Sequence, residues 1–318
     1  MVEYRPFHNS DPPRIAALWN NGGLGRGAVQ GLTSDTLETV VFAQPYFDRA
    51  GLIVACDAGR VVGFVHAGFG AIVDESRLDR GQGVICTVIV HPEHRRRGIG
   101  RELVSRAEQY LQEAEATSIY AGPAPPRDPF YFGIYGGSAM PGFLESDPAA
   151  EPFFEALGYQ PLQRRAIYQC ELDKQTPPIN MRLVEIRRRT ELHVVTQPDP
   201  LTWWWSTRYG RLESLRFLLS PKSGGPSVAS VTVVGLDHYQ SSWQAQAIGM
   251  TDLYVTEIER QKGYGQALLL AVTKRLRDEL FTLAECQAPL DNTAACRLLE
   301  SCGFKQIDSG IVYQRSPD

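Results

Sequence analysis

Residues 84–100, VICTVIVHPEHRRRGIG, decide how this chain is read. Val84, Ile85, Val88, Ile89 and Val90 form an uncharged β-branched run, the pattern of a strand buried on both faces. His91 and Pro92 end that run, and Arg95, Arg96 and Arg97 follow. Gly98 and Gly100 then open a segment in which Leu103, Val104, Ala107, Tyr110 and Leu111 recur at helical spacing. The stretch predicts a strand, a basic glycine turn and a helix. A helix start carries unpaired N–H groups and partial positive charge, glycine lets an anion approach the backbone, and arginine adds fixed charge. This chemistry suits a diphosphate; a solvated surface turn is the plain alternative.

The stretch occurs twice. Residues 253–265 read LYVTEIERQKGYG, so that Val90 and Val255, Arg95 and Arg260, Gly98 and Gly263, and Gly100 and Gly265 each stand 165 residues apart. Leu103, Val104, Ala107 and Leu111 repeat at the same offset as Leu268, Leu269, Val272 and Leu276. Two loops with matching helices at one offset point to duplication. Each copy also closes alike, with DPAAEPFFEALGY at 147–159 and DNTAACRLLESCGF at 291–304. Asp147 is placed there as a helix N-cap, with Pro148 at the first helical position. Gly98 and Gly158 are 60 residues apart and Gly263 and Gly303 only 40, which leaves an insert in the first copy at 122–146.

These residues resemble the GCN5-related N-acetyltransferases, the GNAT superfamily. Arg95-Arg96-Arg97-Gly98-Ile99-Gly100 matches its (Arg/Gln)-x-x-Gly-x-(Gly/Ala) motif, and 291–304 matches its closing Asn-x-x-Ala…Gly-Phe helix. The resemblance implies an α/β (α+β) fold of two tandem domains, each a mixed, mostly antiparallel sheet flanked by helices, in a mycothiol-synthase-like layout. In that layout the second half is the catalytic one. It also implies acetyl-CoA or another acyl-CoA as donor. Loop residues Arg95–Arg101 would hold the diphosphate, and backbone amides of Val88, Ile89 and Val90 would lie near the thioester. In the second copy Leu253 to Val255, Arg260, Gly263 and Gly265 would serve. The first copy has the fuller loop, whereas Glu257 and Glu259 oppose a diphosphate in the second, so one bound CoA per chain is expected.

In chain order, Val2–Phe7 reads as a strand and Asp11–Trp19 as a helix. Leu52–Cys56 and Arg60–Ala67 form a hairpin about Asp57-Ala58-Gly59, and Ser118–Ala121 is the fifth strand. Residues 165–172 form the last strand of a domain spanning 1–173. A polar linker at 174–180 precedes a second domain at 181–318. Residues 181–188 restart the pattern with alternating character, and 211–219 with 228–237 read as its hairpin. Three adjacent tryptophans, Trp203–Trp205, cannot share a face, so burial at the domain interface is expected for part of the group only.

The chain has 318 residues, 43% hydrophobic and 21% charged, with a formal net charge of −4, values of a soluble globular protein with no general attraction for nucleic acid. No apolar run approaches a membrane span, no signal-peptide core is visible, and six scattered cysteines read as reduced core residues, so a cytoplasmic location is expected. No metal is expected.

Acyl transfer to an amine requires a positioned donor, a neutral amine and hydrogen bonds to the developing oxyanion. Many relatives return a proton to the thiolate from a tyrosine on the closing helix, a position held here by Phe154 and Leu299. Tyr131 and Tyr135, in the aromatic insert GPAPPRDPFYFGIYGGSAMPGFLES, or water are the substitute donors unless one copy no longer catalyses, and the insert reads either as a cover over the acceptor amine or as a packed loop filling the space between domains. Asp252, where the first copy has Thr87, is the candidate base. The leading reading is an N-acetyltransferase for a small-molecule amine. The alternative is a tandem protein in which one or both copies bind acyl-CoA without catalysis.

Overall fold

The computed structural model describes residues 2–176, 178, 180–196, 201–209 and 212–316. The first half runs β1 (Glu3–Pro6), α1 (Pro12–Asn21), α2 (Ser34–Leu37) with a π turn at Glu38–Phe42, β2 (Leu52–Asp57), β3 (Arg60–Ala71) and β4 (Leu78–Val90). It continues through α3 (Ile99–Glu113), β5 (Ser118–Ala121), β6 (Phe143–Leu144), α4 (Ala150–Glu155) and β7 (Tyr159–Glu171). The second half runs α5 (Met181–Arg189), β8 (Thr190–Val195), α6 (Trp203–Tyr209), β9 (Ser214–Pro221), β10 (Ala229–Gly235) and α7 (Gln240–Trp243). It ends with β11 (Ala247–Val255), α8 (Tyr264–Asp278), β12 (Leu283–Pro289), α9 (Thr293–Ser301) and β13 (Lys305–Arg315). Pro177 and Ile179 of the expected linker, and Arg211 at the start of the expected hairpin, lie outside the described residues.

The β2–β3 turn takes the left-handed backbone its sequence calls for, with φ of 48° at Ala58 and 78° at Gly59. Two expectations differ from the structure. Residues 181–189 form a helix, because Leu183 and Ile186, three apart, bury together and the Asn180 side chain accepts the Arg182 amide as an N-cap. Arg187, Arg188 and Arg189 then sit where the helix dipole favours cations. The first closing helix starts at Ala150, later than expected, because Asp147 Oδ1 accepts the amide of Ala149 in a turn ahead of it.

All strands join one sheet, in the order β1-β2-β3-β4-β5-β13-β7-β12-β11-β10-β9-β8, with β6 beside β13. Its parallel contacts are β4–β5 and β11–β12. The two halves exchange their last strands. β7 lies between β12 and β13, with Arg165 opposite Pro289 and Glu171 opposite Leu283, while β13 crosses to the first half and sets Tyr313 against Ala121 of β5. Both β5 and β6 run antiparallel to β13, so residues 122–142 are an excursion from a single strand line that continues unbroken as β12 in the second half.

Three cores follow from this sheet. On its outer face, α3 packs Leu103, Val104, Ala107 and Leu111 against Ile53, Val65 and Ile85. Helices α8 and α9 cover the second half likewise, with Leu268, Leu269, Val272 and Leu299 against Val231, Met250 and Cys286. The inner faces of both halves share one core, where Trp19, Phe64, Phe130 and Tyr131 join Tyr209, Val234, Tyr239 and Leu283. Trp204 is buried, 5.0 Å from the Tyr46 ring, and Trp203 stays exposed, as three adjacent tryptophans require. All six cysteines are buried and free.

Candidate functional site

In each half the parallel pair separates halfway along. β4 pairs with β5 only from Gln82–Ser118 to Ile85–Ala121, and β11 with β12 only from Ala247–Leu283 to Met250–Cys286. Beyond those points one edge of Cys86–Val90, and of Thr251–Val255, has no neighbouring strand among the described residues. A bulge marks each separation: β3 and β4 slip register at His66–Ala67, and β10 and β11 slip between Ser230 and Thr232. Asp252 sits in the second bulge, exposed and with φ of 51°. Aspartate is one of the few non-glycine residues that takes this left-handed backbone readily, and the bulge turns it out of the ladder.

The two glycine loops share one backbone. Arg96 and Gln261 have φ of 62° and 61°, and Gly98 and Gly263 have 81° and 89°. Arg95 Nε donates to Val90 O at 3.0 Å and Arg260 Nε to Val255 O at 3.2 Å. The first arginine of each motif therefore braces the loop to the strand before it. Arg95 is further tied to Gly22 O at 2.5 Å, so among the exposed arginines of loop one it is Arg96, Arg97 and Arg101 that are left to meet a ligand. Ile99 is buried and anchors the start of α3. Nothing lies within 4 Å of where a Gly98 side chain would begin, so a diphosphate has an open cradle there. A side chain at Gly100 would meet Phe153, and one at Gly265 would meet Leu298, each on its own closing helix.

Loop two differs in its surroundings. Arg182 of α5 donates to Gln261 O at 2.6 Å, and Ile186 lies 3.2 Å from a Gly263 Cβ. Glu257 and Glu259 pair with Arg260 and Lys262, at 3.8 and 3.2 Å, so their charge is partly neutralised sideways.

The insert closes the inner face of the first half. Phe130 stacks on His66 at 4.2 Å, Tyr131 stacks on Trp19 at 5.7 Å, and the Tyr131 hydroxyl meets His66 Nδ1 at 3.0 Å. Burial pushes His66 down to about 3, so its imidazole is neutral. The Tyr135 hydroxyl accepts the Leu144 amide. The remaining cavity, lined by Gln44, Tyr46, Phe130, Tyr131 and Arg208 among others, holds about 20 Å³, room for about one water. Burying each aromatic contributes about 2 kcal/mol, which favours closure over an open aromatic wall. Tyr131 and Tyr135 are thus packed within the insert, with little open space beside Tyr131. Phe154 and Leu299 are likewise buried, Phe154 stacked on Phe143 and Tyr313.

The insert also reaches the second half. Ser138 N donates to Glu285 Oε2 at 2.5 Å, and Gln287 Nε2 donates to Gly136 O and Ala139 O. Glu285 is fully buried, and burial pushes its carboxyl up to about 7 from 4.5. Between those values the folded chain binds more protons than the unfolded one, so stability falls as pH rises from 4.5 to 7 and stays lowered above. Glu285→Gln is expected to remove this loss, worth up to about 3 kcal/mol, and urea denaturation of both proteins across that window measures it.

Beside the second separation the insert meets α6 and β7. Asp128 and Arg208, both deeply buried, pair at 2.6 Å; Arg165 lies within electrostatic reach of Asp128, and the Tyr209 hydroxyl is 3.5 Å from Asp252. Sequence reasoning named Asp252 and did not name Asp128, Arg165, Arg208 or Tyr209. No linear pattern links an insert residue, an exchanged strand and a helix of the other half.

The profile of the acetyltransferase (GNAT) family matches residues 30–131 and again 182–304. Among solved structures, a tandem GNAT protein from the clavulanic acid biosynthesis pathway aligns over all of both chains at 19% identity and a TM-score of 0.71. A GCN5-related N-acetyltransferase from Sphaerobacter thermophilus aligns over 98% of this chain and 95% of its own at 15% and 0.64. A glucosamine N-acetyltransferase region of a fungal multi-domain GH3 β-N-acetylglucosaminidase matches 99% of this chain and 38% of its own, at 16% and 0.73. No curated protein matches the sequence. Among the described residues no helix is long and apolar enough to cross a membrane. With the family profile falling on both copies of the glycine loop, each at the parting of two parallel strands, this chain belongs to the GNAT acetyltransferase family and carries its domain twice.

Proposed function

We propose that the chain is an acyl-CoA-dependent N-acetyltransferase for the amine of a small molecule, and that transfer takes place in the second half, where β11 leaves β12. The observation that carries this reading is Asp252, exposed in the bulge at that point and 3.5 Å from the Tyr209 hydroxyl. When bound, the donor supplies a thioester whose acyl carbon is open to attack. The unpaired edge of Thr251–Val255 is suited to align the donor arm, and the amides of loop two to take its diphosphate. Asp252 takes the proton of the incoming ammonium group, leaving a neutral nitrogen. As the C–N bond forms the C–S bond breaks, and the second proton shed by the nitrogen as it becomes an amide is the one taken up by the departing sulfur. Release of free CoA thiol against a panel of amines tests the reading; no release with any amine overturns it.

The first half fits the second expected role, acyl-CoA binding without transfer, because its loop is open while its inner face is filled by the insert. Equal loop backbones and the side pairing of Glu257 and Glu259 support two sites per chain, in place of the single site expected from sequence. Calorimetric titration with acetyl-CoA is expected to give two inequivalent sites. Gly98→Glu, which sets a carboxylate into the open cradle at a folding cost of about 1–2 kcal/mol, is expected to abolish one of them and leave turnover in place. Loss of turnover in a folded Gly98→Glu protein would return catalysis to the first half.

A further inference from the structure

The two glycine loops share a backbone but not their charges. At the offset of 165, the arginines that loop one leaves to a ligand, Arg96, Arg97 and Arg101, become Gln261, Lys262 and Gln266. Lys262 is paired with Glu259 at 3.2 Å, Gln266 donates to Ser301 of α9 at 3.0 Å, and Arg260 is held between Val255 O and Glu257. Loop two therefore keeps the glycine backbone and the start of a 15-residue helix, while its own cations are committed to neighbours.

A further cation arrives from α5. Arg182 donates from Nη2 to the carbonyl oxygen of Gln261 at 2.6 Å, and Gln261 stands where loop one has Arg96. Nε and Cδ of Arg182 lie 3.3 and 3.5 Å from where a side chain on Gly263 would begin, so this arginine passes over the N-cap of α8. Its helix is fixed from two sides: Ile186 is buried in the core of the second half, 3.2 Å from the same point, and the Asn180 side chain caps the Arg182 amide. Glu185, one turn along, is engaged by Arg189 at 2.5 Å, and among the described residues Arg182 is exposed and makes no ion pair.

A helix start carries partial positive charge, which disfavours a guanidinium set against it alone. An anion held between the two reverses the sign, because the loop amides and the guanidinium then donate to the same oxygens. Gln261 O takes one of five N–H donors, and the planar fork that carries the others matches phosphate geometry. A backbone brace explains the bond to Gln261 but not a charge laid over the N-cap. We infer that Arg182 completes the donor site of the second half as its phosphate-binding cation, standing in through space for the arginine that loop one carries at the position of Gln261. The inference rests on the reading of loop two as the donor site of the transferring half, and adds to it a residue from outside the loop motif.

Acetyl-CoA and its 3′-dephospho form are the probes, titrated by calorimetry into a chain carrying Gly98→Glu, so that loop two is the site observed. Adding Arg182→Gln is expected to weaken acetyl-CoA binding about 10–100-fold and to flatten its dependence on salt, with Arg182→Lys recovering part of the loss. Arg188→Gln removes the same charge from the same helix without touching the bond to Gln261, and is expected to change neither quantity. In the chain with loop one intact, Arg182→Gln is expected to raise the KM for acetyl-CoA by a similar factor while kcat and the melting temperature stay nearly unchanged. Equal losses for the two probes place the phosphate in the diphosphate, and a loss confined to acetyl-CoA places it at the 3′ position. Unchanged affinity in Arg182→Gln overturns the proposal and leaves Arg182 a backbone brace; tighter binding also overturns it and makes Arg182 an occupant that the donor displaces. No acetyl-CoA binding in the folded Gly98→Glu parent overturns the reading of loop two as a donor site, and this proposal with it.

Discussion

Produced separately, residues 1–176 and 180–318 are each expected to fail to fold as monomers, and to recover a single folded species when mixed one to one. The reason is the strand exchange. In the intact chain β7 is hydrogen-bonded on one side to β12 and on the other to β13, both from the second half. Alone, the first half would leave β5 with β4 on one side and nothing in place of β13 on the other, and would expose Tyr168, Cys170 and Leu172. The second half would lose the strand between β12 and β13. Exposing a large apolar side chain costs about 1.5–3 kcal/mol, against a total stability of about 5–15 kcal/mol, so a few such losses exceed what either half can bear. The shared inner core, with Trp19 and Phe130 in one cluster with Val234 and Tyr239, would be divided as well. Circular dichroism and size-exclusion chromatography of each half and of the mixture measure the outcome. A folded monomeric first half would mean that β7 can turn back beside β5 in its own sheet, and that the exchange is dispensable.

Asp252→Asn is expected to lower kcat by about 10²–10⁴, the range of a lost general base, while acetyl-CoA affinity stays as it was. Asparagine tolerates the left-handed backbone that Asp252 occupies, so folding is not the route of the effect, and the melting temperature checks this. Thr87, the counterpart in the first half, is partnered with His66 across β3 and β4, and Thr87→Val is expected to leave kcat near wild type. Tyr131→Phe with Tyr135→Phe forms the other comparison, because those hydroxyls are used inside the insert, on His66 and on the Leu144 amide. That double variant is expected to keep its turnover and lose stability. If it loses turnover and Asp252→Asn does not, the insert rather than the second separation holds the acceptor.

The glycine loops were legible in the sequence because their causes are local. A β-branched run, a turn whose glycine at position 98 or 263 takes positive φ, and a helix with apolar residues at 3.6-residue spacing each follow from a few neighbouring residues, and the constant offset of 165 revealed the second copy. The hairpin at Ala58-Gly59 and the split fate of Trp203–Trp205 were readable for the same reason. The helix at Met181–Arg189 was harder, since nine residues with two buried positions fit short alternation nearly as well. Pairing between distant strands has no such local cause. β7 and β13 carry similar alternation, so either could sit beside β5, and only competition among all the inner faces assigns β13 to it. The closure of the insert over His66 depends on the apolar floor that β3 and α1 provide, which its own aromatics do not reveal. Arg165 is the sharpest case: in sequence it is one arginine of a strand, and it becomes a buried cation only when the exchanged strand sets it between Pro289 of β12 and Gly310 of β13.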